Sequence, residues 1–276
     1  MITGKTTLIA HIGYPTASFK APMIYNPWFE RQGIDAVVVP MGVKADDYPV
    51  FLRSLFRLTN IRGALVTMPH KVTTVALLDE ASTTVQIAGA CNAVRLGEGG
   101  HLVGDLFDGE GFVRGLRRKG FGVDGASCLV VGTGGVGSAI AASLAGAGVR
   151  AIALHDSNAA SAAGLAARLK QHFPRLDARP SSNDPSGYDL VVNATPLGMN
   201  FGDPLPVDVR HLSTSTFVGE VVMKEEMTPF LRAAREKGCG IQVGTDMLFE
   251  QIPAYLEFFG FGTATAEELR AVAQLD

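Results

Sequence analysis

Short apolar runs alternate with helical patterns of hydrophobic spacing along this 276-residue chain. In the first half the apolar runs predict strands, and the amphipathic stretches between them predict helices. Strands that alternate with helices are typical of parallel sheets covered by helices on both faces. The pattern therefore indicates an α/β fold. The predicted strands are Thr7–Ile12, Ala36–Val39 and Gly63–Val66, and the predicted helices are Ala21–Gln32 and Asp47–Arg57.

A predicted β-hairpin interrupts the alternation of strands and helices, which then resumes. Ala93–Leu96 and His101–Gly104 flank a glycine-rich turn and predict a β-hairpin. A helix is predicted over Asp108–Lys119, and a last helical stretch covers Asp246–Phe259. A chain of this length is expected to form two domains, and we place their first boundary at the Asp108–Lys119 helix. The strands predicted between these helices are Ala151–Leu154, Leu190–Asn193, Thr216–Val218 and Gly240–Val243.

A glycine pattern in the second half predicts a dinucleotide-binding turn. An apolar run leads into Gly132, Gly134 and Gly137, and an alanine-rich helical pattern follows. The first glycine allows a tight turn, the second lets the backbone approach a pyrophosphate, and the third lets helix and strand pack closely. The alternative is a glycine-rich turn in an ordinary α/β unit. The residues expected to contact the cofactor are Gly132, Thr133, Gly134, Gly135, Val136 and Gly137.

Asp156, at the end of the next predicted strand, bears on the choice of cofactor. An acid here can bind both hydroxyls of an adenosine ribose and repels a 2′-phosphate. Residues 157–160 contain no Arg or Lys that could hold such a phosphate. We therefore predict that NAD is preferred over NADP. Asp156 could also cap the helix that follows it, and both roles are compatible.

Composition removes several other classes of function. A net charge of −3 offers no basic surface, so nucleic acid is not an expected partner. No apolar run is long enough to span a membrane, and the first residues lack a signal-peptide pattern, so we expect a cytoplasmic protein. Three separate cysteines and six scattered histidines lack metal-ligand spacing, and no metal site is expected. Whether the protein is a monomer or a homodimer stays open.

Two residues could exchange the proton of an alcohol while a nicotinamide takes up the hydride. Lys71 follows the predicted strand Gly63–Val66, and Asp108 lies at another strand-to-helix junction. Loops at strand ends of α/β sheets often place ligand-binding groups. Each residue also has an ordinary explanation, because lysines are mostly solvated and aspartates often cap helices.

Six segments resemble, in order, motifs of the shikimate dehydrogenase family, which includes quinate/shikimate dehydrogenases. The glycine pattern lies between the fourth and the fifth segment. Any one segment is weak evidence, but the six in the right order are specific. They are Ile12–Pro15 with Pro22 and Asn26, Val66–Lys71, Gly89–Val94, Gly104–Gly111, Asn193–Met199 and Gly244–Gln251.

The resemblance implies an N-terminal α/β substrate domain with a parallel-rich sheet over residues 1–108, completed by C-terminal helices at 246–276. It implies an NAD-binding Rossmann domain over residues 109–245. The implied reaction interconverts a ring hydroxyl and a ketone of shikimate, quinate or a related cyclic hydroxy acid, with Lys71 and Asp108 as the acid–base pair. Implied substrate contacts are Thr67, Asn92 and Gln251, and implied cofactor contacts are Asn193, Ala194, Thr195 and Gly244.

The chain departs from the family pattern where the substrate carboxylate would bind. Phe19 and Ala21 stand where the family has two serines, and Ser18 or Lys20 could compensate. Two lost hydroxyl donors could each cost about 1.5–3 kcal/mol, so we expect weak binding of shikimate. The chain departs from the family pattern at three further positions. Leu106 and Phe107 stand where the family has Asn and Thr, and Met223 stands where it has Tyr.

Two alternatives keep the dinucleotide half but change the function. A non-catalytic NAD-binding sensor could retain the fold, although Lys71 and Asp108 are both present. Another two-domain enzyme, such as a methylenetetrahydrofolate dehydrogenase, could share the cofactor half. The segments Val66–Lys71 and Gly244–Gln251 argue against that second alternative.

Overall fold

The computed structural model describes residues 2–275. These form two compact units, one of residues 2–107 with residues 252–275 and one of Asp108–Gln251. The sequence-based boundaries instead assigned Asp108 and residues 246–251 to the substrate domain. These residues group with the dinucleotide half because they lie on helices that pack within it. The α/β class predicted from the sequence is confirmed.

The first unit is built on a mixed six-stranded sheet. Its strands are β1 (Thr7–Gly13), β2 (Ala36–Gly42), β3 (Ile61–Val66), β4 (Glu80–Ala81), β5 (Ala93–Leu96) and β6 (Leu102–Asp105). They lie in the order β2-β1-β3-β5-β6-β4. β1 pairs in parallel with both β2 and β3, whereas β5 is antiparallel to β3 and β6. The hairpin predicted from the sequence is therefore confirmed.

The helices of the first unit follow the predicted pattern only in part. They are α1 (Pro22–Gln32), α2 (Tyr48–Leu55), α3 (Lys71–Val75), α4 (Thr83–Ala88) and α10 (Ala266–Val272). Pro22 occupies the first turn of α1, where no backbone N–H is needed, and Gly33 ends the helix in the left-handed conformation. The sequence pattern did not predict α3, α4 and α10, which are too short to show a clear period.

The second unit contains a six-stranded sheet in which every pairing is parallel. Its strands are β7 (Ser127–Val131), β8 (Ala151–His155), β9 (Asp177–Pro180), β10 (Leu190–Asn193), β11 (Phe217–Glu220) and β12 (Gly240–Gln242). Their order is β12-β11-β10-β7-β8-β9. This is the strand order of the Rossmann fold, in which the dinucleotide binds at the carboxyl ends of the central strands.

Close helix packing explains the boundaries of the second unit. Its helices are α5 (Asp108–Arg118), α6 (Gly135–Gly146), α7 (Ala159–His172), α8 (Pro229–Glu236) and the start of α9 (Gly244–Phe259). A Cβ at Gly109 would lie 2.1 Å from the carbonyl oxygen of Ala139, so α5 packs tightly on α6. Arg118 also pairs with Asp246 at 3.0 Å, which ties the first turn of α9 to α5. No helix within residues 2–275 is both long and apolar enough to span a membrane.

Candidate active site

The glycine turn lies between β7 and α6, and its backbone fits a pyrophosphate. Gly132 has a φ of 96°, which disfavours any residue with a side chain. A Cβ at Gly137 would lie 1.9 Å from the carbonyl oxygen of Gly132. Added Cβ atoms at Gly134 and Gly135 would meet nothing within 4 Å, so the start of α6 is open to a ligand. The amide groups of that first turn can then face phosphate oxygens.

Asp156 is bonded to the glycine turn and does not cap the next helix. Its Oδ2 accepts hydrogen bonds from the backbone N–H of Thr133 at 2.7 Å and from the Thr133 hydroxyl at 2.8 Å. Its Oδ1 accepts from the N–H of Asn158 at 2.9 Å, and Asn158 caps α7. Burial would raise the pKa of Asp156, but these hydrogen bonds together lower it. A carboxylate is therefore held beside the turn at neutral pH.

The loop after β10 is held by a buried network that includes Glu220, which was not among the predicted site residues. Asn193 donates from Nδ2 to the Leu197 carbonyl at 3.0 Å and to Glu220 Oε2 at 3.2 Å, and it accepts from the Thr195 N–H and hydroxyl. Because its amide is fully used, Asn193 shapes the loop. Burial raises the pKa of Glu220, against hydrogen bonds from Asn193 and Thr228 that lower it.

This loop and the start of α9 both approach neighbouring backbone closely. A Cβ at Gly132 would lie 2.7 Å from the carbonyl of Ala194 and 2.9 Å from Thr195 Cγ2. A Cβ at Gly244 would lie 2.1 Å from the carbonyl oxygen of Val222. The structure thus brings the segment 193–195 against the glycine turn, as a shared cofactor surface requires.

In the first unit, two residues considered for substrate binding and the candidate base Lys71 lie on segments joined at the carboxyl end of β3. Thr67 follows β3 and donates its N–H to the Ile12 carbonyl at 2.9 Å. Lys71 begins α3, and its carbonyl accepts the N–H of Cys91 at 2.9 Å. Asn92 follows Cys91 and its carbonyl accepts the N–H of Val66 at 2.8 Å.

Asn92 presents an unused hydrogen-bond donor. Its side chain is 1% exposed, and its Oδ1 accepts the N–H of Phe107 at 3.0 Å. Its Nδ2 is buried and has no partner among the described residues. A buried amide donor without a partner costs about 1–3 kcal/mol, so a ligand hydroxyl that accepts from Nδ2 would remove this cost.

His70 fixes the start of α3 beside Lys71. Its Nε2 lies 2.8 Å from the Val43 carbonyl oxygen, and since a carbonyl only accepts, Nε2 carries the proton. The imidazole stacks on Tyr48 at 3.9 Å. Burial lowers the pKa of His70, partly opposed by the hydrogen bond to Val43. The ring is therefore neutral at neutral pH, and it positions the turn that carries Lys71.

An aromatic stack occupies the region where the family pattern places serines. Ser18 and Lys20 are exposed, whereas the Phe19 ring stacks on His11 with centroids 4.0 Å apart. A Cβ at Gly13 would lie 2.8 Å from Phe19 Cζ and 2.5 Å from Thr67 Cγ2, so the tip of Phe19 is next to Thr67. Burial lowers the pKa of His11 to about 4, so this wall is uncharged at neutral pH.

Asp108 and Gln251 lie on neighbouring helices of the second unit. Asp108 is buried at the start of α5, where the helix dipole favours a carboxylate. A Cβ at Gly111, one turn later, would lie 2.6 Å from Gln251 Cβ. Gln251 Oε1 is buried without a partner among the described residues. It is thus an unused acceptor, just as Asn92 Nδ2 is an unused donor.

The chain is similar to known proteins over both units. Residues 11–94 match the family model of the shikimate dehydrogenase substrate binding domain. The chain is 35% identical over 254 residues to shikimate dehydrogenase (NADP(+)) of Rubrobacter xylanophilus, covering 91% of this chain and 89% of that protein. It is 33% identical over 276 residues to the enzyme of the same name from Acidiphilium cryptum, covering 99% and 98%.

Solved structures share both units. Shikimate 5-dehydrogenase of Listeria monocytogenes, in complex with shikimate and NAD, has a TM-score of 0.91 at 25% identity and covers 98% of this chain and 97% of its own. The 5-ketofructose reductase of a Gluconobacter strain has a TM-score of 0.89 at 26% identity, covering 99% of each chain. Quinate dehydrogenase of Corynebacterium glutamicum, in complex with NAD, has a TM-score of 0.85 at 29% identity, covering 97% and 98%.

These matches span nearly the whole chain, and the second unit has the strand order and the glycine turn of a dinucleotide-binding domain. The protein is an oxidoreductase that uses a nicotinamide dinucleotide, and it belongs to the shikimate dehydrogenase family.

Proposed function

We propose that this protein interconverts a ring hydroxyl and a ketone of shikimate, quinate or a related cyclic hydroxy compound. The observation that carries the proposal is the buried, unpartnered Nδ2 of Asn92 on the segment next to Thr67 and Lys71. A substrate hydroxyl that accepts from Nδ2 would satisfy it. A site built in this way rejects analogues without the hydroxyl, because its own polar groups then stay unpaired.

The catalytic work divides between the protein and the cofactor. When bound, the nicotinamide supplies the hydride chemistry. Lys71 would exchange the proton of the reacting hydroxyl, and Asp108 would support it as the second acid–base group. Thr67, Asn92 and Gln251 would orient the ring through its hydroxyls. His70, which is neutral and bonded to Val43, keeps Lys71 in place.

NAD as the preferred cofactor is part of the proposal. It is supported by the Asp156 carboxylate held on Thr133 and by the lack of cations at residues 157–160. The curated relatives are named for NADP(+), and among the similar structures two contain NAD and another contains NADP(H). The cofactors of the relatives therefore do not decide between NAD and NADP, and the preference has to be measured on this protein.

Asp156→Ala tests the cofactor preference directly. We expect the kcat/KM of the wild type to be higher with NAD than with NADP. In the variant the difference between the two cofactors should become smaller, because the repulsion of a 2′-phosphate is removed. Asp184→Ala is the control, since Asp184 is an exposed acid elsewhere in the second unit. A wild type that uses NADP at least as well as NAD would show that the interpretation of Asp156 is wrong.

The uncharged wall of Phe19 and His11 favours a second candidate substrate class. A ring or sugar without a carboxylate would avoid placing a charge against this aromatic stack. The 5-ketofructose reductase among the similar structures is named for such a substrate. An uncharged polyhydroxy ketone is therefore the second candidate.

Steady-state kinetics with NAD and NADP, each with shikimate, quinate and 5-ketofructose in the appropriate direction, decide between the candidates. We expect turnover with at least one of these, and a low kcat/KM for shikimate because two hydroxyl donors are missing at residues 19 and 21. If NAD binds but no compound turns over, the non-catalytic sensor becomes the better explanation.

A further inference from the structure

A cavity lies in the first unit, away from the residues considered above. Its volume is about 460 Å³, within the range of small-molecule sites. It lies at the amino-terminal ends of β1 and β3, whereas Thr67 and Lys71 follow the carboxyl end of β3. The two locations are therefore at opposite edges of the same sheet. The cavity is lined by Thr7, Thr59, Asn60, Ile61, Arg62, Arg95, Leu96, Phe258, Phe259 and Gly260.

The lining of this amino-edge cavity is positively charged. It contains two arginines and no carboxylate, and neither Arg62 nor Arg95 forms an ion pair with any acid in residues 2–275. Glu257 comes directly before the lining residue Phe258 in the sequence. It accepts a hydrogen bond from Thr263 at 2.8 Å and is not part of the lining. The charge of both guanidinium groups is thus available to an anion.

Aromatic rings hold both guanidinium groups in place. Arg95 lies over the Phe258 ring at 4.9 Å and Arg62 over the Phe261 ring at 5.9 Å. Arg95 donates from Nη1 to the Leu96 carbonyl at 3.3 Å, while its Nε is buried and has no partner among the described residues. Stacking of this kind reduces the entropy lost when an arginine binds an oxyanion. The unsatisfied Nε is a further donor.

We propose that the amino-edge cavity binds a small organic anion. Its carboxylate or phosphate group would be held by Arg62 and Arg95, because the guanidinium fork matches both groups. Its apolar body would pack on Phe258, Phe259 and Leu96. Because the cavity is remote from Lys71 in the sheet, binding there is independent of the function proposed above.

Isothermal titration calorimetry of the full chain tests this site with four probes. Benzoate and phenyl phosphate carry the two anionic groups on an apolar ring, inorganic phosphate lacks the ring, and benzyl alcohol lacks the charge. We expect saturable binding of benzoate or phenyl phosphate below about 1 mM, with weaker binding of inorganic phosphate and of benzyl alcohol. Which aromatic anion binds more tightly identifies the anionic group.

Arg62→Gln and Arg95→Gln should each weaken binding at least about tenfold, which is the loss of one charge-assisted contact. Arg31→Gln is the matched control, since Arg31 is an exposed arginine on α1 in the same unit and is outside the lining. Arg62 is also exposed, so its variant keeps the test valid even if the Arg95 variant does not fold. Turnover with the best substrate, measured in the same variants, reports separately on the Lys71 site.

Three results would overturn the proposal. They are no saturable binding of either aromatic anion, equal binding by the Arg62→Gln variant and the wild type, and binding of benzyl alcohol as tight as that of benzoate.

Discussion

At the scale of single residues, two of the side chains considered for substrate binding each keep one polar atom without a hydrogen bond. Asn92 Nδ2 and Gln251 Oε1 are buried without partners among residues 2–275. Asn193, by contrast, uses every polar atom of its amide within its own loop. This difference separates side chains that have a polar atom left over for a ligand from side chains that are satisfied within the fold, and it is invisible in the sequence motifs.

Replacement of Lys71 should affect chemistry more than binding. We expect Lys71→Ala to lower kcat on the best substrate by about 10²–10⁴-fold, the usual contribution of a positioned acid–base group. Affinity for NAD should stay unchanged, because the dinucleotide turn belongs to the other unit. Lys5→Ala, an exposed lysine of the same unit, is the control. Near-normal turnover of the Lys71 variant would contradict the acid–base role.

The aromatic stack at Phe19 should limit the use of shikimate. We expect Phe19→Ser combined with Ala21→Ser to lower the KM for shikimate by about two to four powers of ten, since each of the two restored hydroxyl donors is worth about 1.5–3 kcal/mol to a charged group. kcat should change less, because the contact is present in ground and transition states alike. A double variant with an unchanged KM would mean that the carboxylate, if bound at all, is held elsewhere.

At the scale of secondary-structure elements, the sequence predicted the regular strands and the longer helices well. The strand at Leu190–Asn193 and the helix α5 were predicted to within one residue. Short elements such as α3 and β9 were missed, because a few residues show no period. The missed helix α3 carries Lys71 at its first position, and the residue before it, His70, contacts Val43 and stacks on Tyr48.

The close approach of α6 to its preceding turn gives a test at this scale. Gly137→Ala should abolish measurable NAD binding or destabilise the protein, because its Cβ would lie 1.9 Å from a backbone oxygen that cannot move aside. The matched control is Gly164→Ala on α7, where the nearest atom is the far end of Arg168 at 3.4 Å. The control should raise stability by about 0.5–1 kcal/mol. NAD titration and urea unfolding of both variants check this, and normal NAD affinity of the Gly137 variant would contradict it.

At the scale of the whole molecule, buried histidine should make folding stability depend on pH. His11 has a pKa lowered to about 4 by burial, against 6.5 when exposed. The unfolded chain therefore binds more protons between these values, so stability falls as the pH is lowered from about 6.5 to about 4. The contribution of His11 is at most about 3 kcal/mol.

His11→Phe should reduce the change of folding stability between about pH 6.5 and pH 4, while it keeps an aromatic ring against Phe19. Urea unfolding from pH 4 to pH 7, a window of about three units set by that shift, measures the effect. His101→Phe is the control, because His101 is exposed. If the His11 variant kept the full acid sensitivity of the wild type, other groups such as the buried His70 would account for it.

The sequence by itself determined the α/β class and the dinucleotide turn at Gly132–Gly137, because periodicity and glycine spacing are local properties of the chain. The family was identified by the resemblance of six ordered segments to its motifs. Tertiary structure alone decided that Asn92 keeps a donor unused, that Glu220 holds Asn193, and that Phe19 stacks on His11 beside Thr67. It also joined Arg62, Arg95 and Phe258 around one cavity. These residues are far apart along the chain, and their hydrogen-bond balance, burial and charge exist only after the strands and helices have packed.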